Sequence, residues 1–152
     1  MMNYSRTLTP QPEAKSILLV DDDASCRKVL KALLESFGYT VTVASDGSTA
    51  LVLFSTNPDY YDLVILDQEM PHMKGTAVAE QLMGIRPGAA IMLYTGSGDN
   101  GCVVTARAIG IREVILKPLT IWNLLAAIDG ALESGVAPKK GLTRQRHLRL
   151  VG

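Results

Sequence analysis

A few residues able to do polar chemistry each stand just beyond an apolar run. Asp21 and Asp22 follow Ile17-Leu18-Leu19-Val20, and Asp67 follows Leu63-Val64-Ile65-Leu66. Thr95 follows the run from Ala89 to Tyr94, and Lys117 follows Val114-Ile115-Leu116. Unbroken apolar runs holding Val and Ile suit strands covered on both faces, as in a parallel sheet. Pro71, with no N–H to give a ladder, stops the third run soon after Asp67. A lone strand-end Asp more often merely meets water; the joint pattern argues for more. Open α/β sheets bind ligands beyond the carboxyl ends of their strands, so all these side chains belong to one edge. Neighbouring strands lie about 4.8 Å apart, and carboxylates on adjacent strand ends repel. A hard divalent cation, Mg2+ or Mn2+, relieves that repulsion, taking one or two carboxylates, a backbone carbonyl and waters. A phosphate completes such a site: Lys117 meets one oxygen as a charge, Thr95 another as a donor, and Asp67 is free to be the nucleophile. Phosphoryl transfer asks mainly for in-line positioning and charge neutralisation.

The elements that must position these residues are legible in the same pattern. Cys26, Leu30, Leu33, Leu34 and Phe37 recur at helical spacing, with Asp23 available as cap and Gly38 just past the end. Tyr39 to Ala44 alternates Val41 and Val43 with threonines, the pattern of a strand at a sheet edge. Ser45-Asp46-Gly47 opens a helix bearing Ala50, Leu51 and Phe54, which Asn57-Pro58 closes. Gly75 precedes a helix using Val78, Leu82 and Met83, broken by Pro87-Gly88. A helix with Val103, Val104 and Ile109 starts poorly, since Gly101 costs it about 1 kcal/mol relative to Ala. Thr120 can cap a last helix whose Ile121, Leu124, Leu125, Ile128 and Leu132 form one stripe. Strands alternating with helices from Ser16 to Ser134 predict a doubly wound α/β fold, a five-stranded parallel sheet with five helices.

At 152 residues, with 47% hydrophobic and 20% charged residues, the chain fits one globular domain with a core of its own. The formal net charge of zero hides an asymmetry. All 15 acidic residues fall between Glu13 and Glu133, whereas the stretch 135–152 carries Lys139, Lys140, Arg144, Arg146 and Arg149 and no acid. The expected organisation is therefore a loose arm over 1–15, one domain over 16–134 and a basic, disordered tail over 135–152. That tail has no aromatic residue and too little length for a helix-turn-helix unit, so direct DNA binding is not expected. Cys26 and Cys102 match no ligand spacing and read as packing residues. No apolar leader, lipidation signal or run of eighteen apolar residues occurs, so the expected location is the cytoplasm, without membrane attachment.

Asp-Asp after the first strand, Asp-x-x-Met-Pro after the third, Thr-Gly after the fourth and Lys-Pro after the fifth resemble the receiver domain of two-component response regulators, over about Ile17 to Leu132. The resemblance implies a flavodoxin-like strand order, 2-1-3-4-5. It implies that Asp67 accepts a phosphoryl group from a sensor histidine kinase or a histidine phosphotransfer protein. Asp22 would then bind Mg2+ directly, Asp21 through water, Asp67 itself, and Glu69 through its backbone carbonyl. Thr95 and Lys117 would contact phosphoryl oxygens and pull on their loops, and Lys117-Pro118 would be cis. The protein would be a phosphoacceptor that assists its own phosphorylation and dephosphorylation rather than an enzyme with a separate substrate. The switched surface would be helix 4, strand 5 and helix 5, serving a downstream protein or a homodimer.

The chain departs from the family pattern in places. Val114, Ile115 and Leu116 stand where an aromatic switch residue is common, leaving Tyr94 as a stand-in. Glu69 and Ser97 are placed to tune phosphate lifetime. His72 reads as a surface residue, Trp122 as packing or partner-facing, and Arg27 and Lys28 as solvated. Two other readings remain open. One is a receiver-fold binding module indifferent to phosphate; the other is a Mg2+-dependent phosphohydrolase using Asp67-Gln68-Glu69.

Overall fold

The computed structural model describes residues 13–96, 100–111 and 113–134. The segments 1–12 and 135–152, and with them most of the expected arm and all of the basic tail, lie outside the described residues, as does Ser97. Five strands alternate with five helices: β1 (Ser16–Val20), α1 (Ala24–Ser36), β2 (Thr40–Ala44), α2 (Gly47–Thr56), β3 (Leu63–Asp67), α3 (Gly75–Ile85), β4 (Ile91–Thr95), α4 (Asn100–Ile109), β5 (Glu113–Leu116) and α5 (Ile121–Ser134). The strands form one parallel sheet in the order β2-β1-β3-β4-β5, as the resemblance implied. The alternating β2 lies at one edge and the other edge is β5, whose Leu116 is exposed.

Side-chain alternation divides the core in two. Ile17, Leu19, Leu63, Ile65, Met92 and Tyr94 face α1 and α5, whereas Leu18, Val20, Val64, Leu66 and Leu93 face α2, α3 and α4. The three central strands are buried along their whole length. Each fully buried Leu or Ile contributes about 1.5–3 kcal/mol, so these strands hold the frame on which the edge residues sit. Continuing the same parity outward puts Asp21 and Asp67 on the α1/α5 side together with Tyr94. The register agrees, since Val20 pairs with Leu66 and Asp67 pairs with Tyr94.

Helix starts follow the sequence closely. Asp23 Oδ1 accepts from the N–H groups of Ser25 (2.9 Å) and Cys26 (3.1 Å), and Asp46 Oδ1 from that of Thr49 (2.7 Å). Thr120 Oγ1 accepts from Asn123 N–H at 3.1 Å. Such caps are each worth about 1 kcal/mol and fix where the chain turns out of the site. Gly38, at φ 92°, supplies the left-handed residue that ends α1. Packing corrects the helix stripes at two places. Phe37 is the C-cap of α1 and is 50% exposed, because the chain turns there before the stripe can return to the core. In α4 the buried residue is Ala106, while Val104 is 67% exposed; a short helix beside an edge strand has only a narrow face to cover. Among the described residues no helix is long and apolar enough to cross a membrane.

Candidate functional site

The carboxyl edge of the sheet gathers the acids. Carboxylate oxygens of Asp21, Asp22 and Asp67 lie within 4.8 Å of one another, with Asp21 and Asp67 buried and Asp22 exposed. Lys117 Nζ donates to Asp67 Oδ1 at 3.0 Å, and the backbone N–H of Glu69 donates to the same oxygen at 3.1 Å. Both bonds fall on Oδ1, so neither occupies Oδ2. The ladder continues past the strands through Gln68 N–H to Tyr94 O (2.9 Å) and Lys117 N–H to Thr95 O (2.9 Å), which holds the ends of β3, β4 and β5 in step. Lys117-Pro118 is cis, as expected from the resemblance.

Several contacts were not foreseen from sequence. The Tyr94 hydroxyl donates to Asp21 Oδ2 from a fully buried ring, and Lys117 Nζ stands 4.8 Å from that ring's centroid. Tyr94 is thus a fixed strut between the acid pair and the lysine, with its ring in the α1/α5 core. Strand parity already placed Tyr94 on the side of Asp67; a partner for its hydroxyl was the missing inference. Arg27, expected to be solvated, is half-buried and donates from Nη1 to the carbonyl of Asp21 at 2.7 Å, tying α1 to the end of β1. Gly75 opens α3 rather than preceding it, and a Cβ there would come within 2.5 Å of the Asp67 carbonyl and 2.8 Å of Leu93 Cδ1. Only a glycine lets α3 start this close to the end of β3.

The triplet after β3 diverges. Gln68 Oε1 accepts from Thr76 N–H at 2.8 Å, satisfying a first-turn donor of α3, whose Lys74 N-cap makes no side-chain bond. Glu69 is exposed; its Oε1 accepts from the Thr95 hydroxyl and its Oε2 from the Gly96 N–H at 3.2 Å. Gln68 is thus turned to the helix, while the Glu69 carboxylate lies between Asp67 and the Thr95 end of β4. His72 is exposed with φ 71°, Trp122 is 76% exposed, and Asp23 is the helix cap.

Electrostatics split the acid pair. Burial pushes the Asp67 carboxyl up to about 6; the Lys117 hydrogen bond opposes that and the Asp21 charge adds to it. Burial also works to raise Asp21, but the Tyr94 hydroxyl, the Asp23 amide, the Cys26 thiol and Lys117 together hold it below the usual carboxylate range. Burial pulls Lys117 down, yet the hydrogen bond to Asp67 leaves its ammonium above the ordinary lysine value. Burial, reinforced by Asp21, pushes the Cys26 thiol up to about 12, in keeping with a packing role. A cluster of hard oxygen ligands with too little positive charge beside it fits a small divalent cation.

Residues 17–129 match the family described as the response regulator receiver domain. Over 118 residues the chain is 35% identical to the two-component response regulator ORR24 of Oryza sativa subsp. indica, covering 74% of this chain and 19% of that protein. It is 34% identical over 116 residues to the transcriptional regulatory protein ZraR of Escherichia coli (strain K12), covering 76% of this chain and 26% of that protein. The chain therefore spans about a fifth to a quarter of the length of these two relatives. Among solved structures, a receiver domain protein from Clostridium thermocellum superposes with a TM-score of 0.75 at 33% identity, covering 78% of this chain and 94% of that one. The CheX-CheY-BeF3-Mg2+ complex from Borrelia burgdorferi gives 0.73 at 26% identity, covering 76% and 87%. A sheet of this order, an acidic edge closed by one lysine and a match across nearly all the described residues lead to one assignment: the chain belongs to the response regulator receiver domain family.

Proposed function

We propose that this domain accepts a phosphoryl group on Asp67 from a phosphohistidine of a sensor kinase or a histidine phosphotransfer protein. The observation that carries the reading is the packing of Asp21, Asp22 and Asp67 around one point, with Lys117 on Oδ1 of Asp67 and Oδ2 clear of that bond. Asp21, Asp22, Asp67 and the backbone carbonyl of Glu69 would hold Mg2+, with Mn2+ a workable substitute. Bound there, the ion supplies neutralisation of the phosphoryl oxygens.

A carboxylate oxygen of Asp67 attacks phosphorus in line. The O–P bond forms as the N–P bond to the donor imidazole breaks; the electron pair stays on that nitrogen, which takes up a proton from water. Lys117 holds one phosphoryl oxygen as a cation and Thr95 another by hydrogen bond. Burial pushes the Asp67 carboxyl up, and the Lys117 hydrogen bond on Oδ1 works the other way, favouring the ionised form that a nucleophile needs. The product carries a new charge of about −1.5 to −2 at the sheet edge, which is the signal.

Two surfaces fit the partners of such a relay. An apolar cleft of about 400 Å³ beside Lys117, lined by Cys26, Val29, Leu30, Pro118 and Leu119, lies next to the acceptor and suits the donor protein's helices. In addition, α4, β5 and α5 each expose a large apolar side chain, Val104, Leu116 and Trp122. That face suits the switched output, whether a downstream protein or a homodimer. A phosphate-indifferent binding module is the second reading, favoured by the Glu69 side chain already seated on Thr95. It expects partner binding unchanged by Asp67→Asn.

The test is incubation with Mg2+ and a small acyl phosphate, followed by intact mass. One added phosphoryl group on the wild type and none on Asp67→Asn is expected. An unmodified wild type, or equal labelling of the variant, overturns the reading.

A further inference from the structure

At the carboxyl end of β4, two donors face the acidic loop after β3: the hydroxyl of Thr95 and the N–H of Gly96. One carboxylate takes both. Glu69 Oε1 accepts from Thr95 Oγ1 and Oε2 accepts from Gly96 N–H at 3.2 Å. The same residue is anchored next to the acceptor, because its own backbone N–H donates to Asp67 Oδ1 at 3.1 Å. The third donor of the site, Lys117 Nζ, rests on Asp67 Oδ1 at 3.0 Å. Both donors assigned above to phosphoryl oxygens, Thr95 and Lys117, are therefore already on carboxylates. Thr95 and the neighbouring Gly96 N–H are held by Glu69, a side chain exposed enough to leave.

A carboxylate and a phosphoryl group share the relevant chemistry: both are anionic and both offer divergent oxygens to convergent donors. We propose that Glu69 is a resident occupant of the phosphoryl-oxygen subsite formed by Thr95 and Gly96, an internal competitor that an incoming phosphoryl group must displace. The proposal rests on the phosphoacceptor reading and adds to it a residue that sets the strength of phosphoryl binding. Glu69 keeps Thr95 and Gly96 ordered without a ligand, and its negative charge opposes a dianion entering beside three other carboxylates. Displaced, it swings into water, where an exposed carboxylate is readily solvated. Apparent affinity for a phosphoryl-like ligand falls by the fraction of molecules in which Glu69 is seated.

The test uses beryllofluoride with Mg2+ as the probe, titrated by calorimetry into the wild type, Glu69→Ala and Glu69→Asp. The aspartate keeps the charge and is one methylene too short to reach both donors. Binding about threefold to tenfold tighter is expected for both variants, the loss of charge-assisted hydrogen bonds being moderated by solvent at an exposed side chain. In the ligand-free protein the Gly96 amide proton should move upfield and exchange faster in both variants. Unchanged or weaker binding by Glu69→Ala overturns the proposal, while labelling of wild-type Asp67 by an acyl phosphate leaves the phosphoacceptor reading intact. Tighter binding by Glu69→Ala with wild-type binding by Glu69→Asp assigns the effect to charge alone and also overturns it. Failure of all three proteins to bind beryllofluoride, with no labelling of Asp67, removes both.

Discussion

The two edges of the sheet treat buried charge in opposite ways. At the amino edge, Asp62 is buried and accepts from Ser16 N–H at 2.7 Å, while Arg86 donates from Nη1 to the carbonyls of Pro58 (2.5 Å) and Tyr61 (3.0 Å) and lies over the Phe54 ring at 5.4 Å. Charge there is met by backbone groups, apart from Arg86 Nη2, which is buried without a hydrogen-bond partner among the described residues, and the result is a clasp between β1, β3 and the end of α3. At the carboxyl edge three carboxylates share a space 4.8 Å across, with Lys117 paired to one of them. The first arrangement ties elements together through hydrogen bonds to the backbone; the second leaves carboxylates crowded at a place where an ion and a phosphate can enter.

The largest effect that would sharpen this contrast belongs to the amino edge. Arg86→Ala removes a shared donor from two carbonyls and a cation from the Phe54 face, which should cost about 2–3 kcal/mol in urea unfolding. Labelling of Asp67 by an acyl phosphate should not change; a large drop would mean that the edges are not independent.

Next comes the opposite sign at the carboxyl edge. Asp67 titrates in the folded protein at about 6 against an ordinary 3.8, so its contribution to stability is fully present below pH 3.8 and is lost as pH rises through 6. In metal-free protein, Asp67→Asn should therefore be more stable than wild type by about 2–3 kcal/mol at pH 8, and that gain should disappear by pH 4. A variant less stable at pH 8 would show that the Lys117 bond outweighs the crowding of acids.

Mg2+ should act in the same direction. At ten times its dissociation constant it should add about 1.4 kcal/mol, a rise of about 3–6 °C in Tm, reversed by chelator and lost in Asp22→Asn. The smallest effect is expected for Tyr94→Phe, about 1 kcal/mol from losing the donor to the buried Asp21 carboxylate. That loss should shrink in saturating Mg2+, where the ion takes over part of the charge compensation.

Much of this frame is legible in the amino-acid sequence because burial and chirality leave few options. Four apolar runs ending in polar residues specify parallel strands, and strand parity then puts Asp21, Asp67 and Tyr94 on one side. Caps at Asp23, Asp46 and Thr120 are readable for the same reason: a helix start leaves donors that a short polar side chain nearby satisfies. Periodicity gives the face of a side chain but not the partner of its tip. So the Tyr94 hydroxyl on Asp21, the Arg27 guanidinium on a carbonyl and the Gln68 amide on α3 emerge only in three dimensions. Phe37 and Val104 show the matching limit for apolar residues, since hydrophobic spacing continues where the neighbouring element has already ended. Glu69 combines both cases: its position beside the acceptor is plain from Asp67-Gln68-Glu69, whereas its hold on Thr95 depends on a loop conformation that no pattern encodes.

The most direct measurement is a crystal structure of the protein grown with Mg2+ and beryllofluoride. Expected is the cation among Asp21, Asp22 and Asp67, beryllium on a carboxylate oxygen of Asp67, and Lys117 and Thr95 on its fluorines. A cation bound elsewhere, or an unmodified Asp67 still paired to Lys117 at saturating ligand, would contradict the assignment of this edge as a phosphoryl-accepting site.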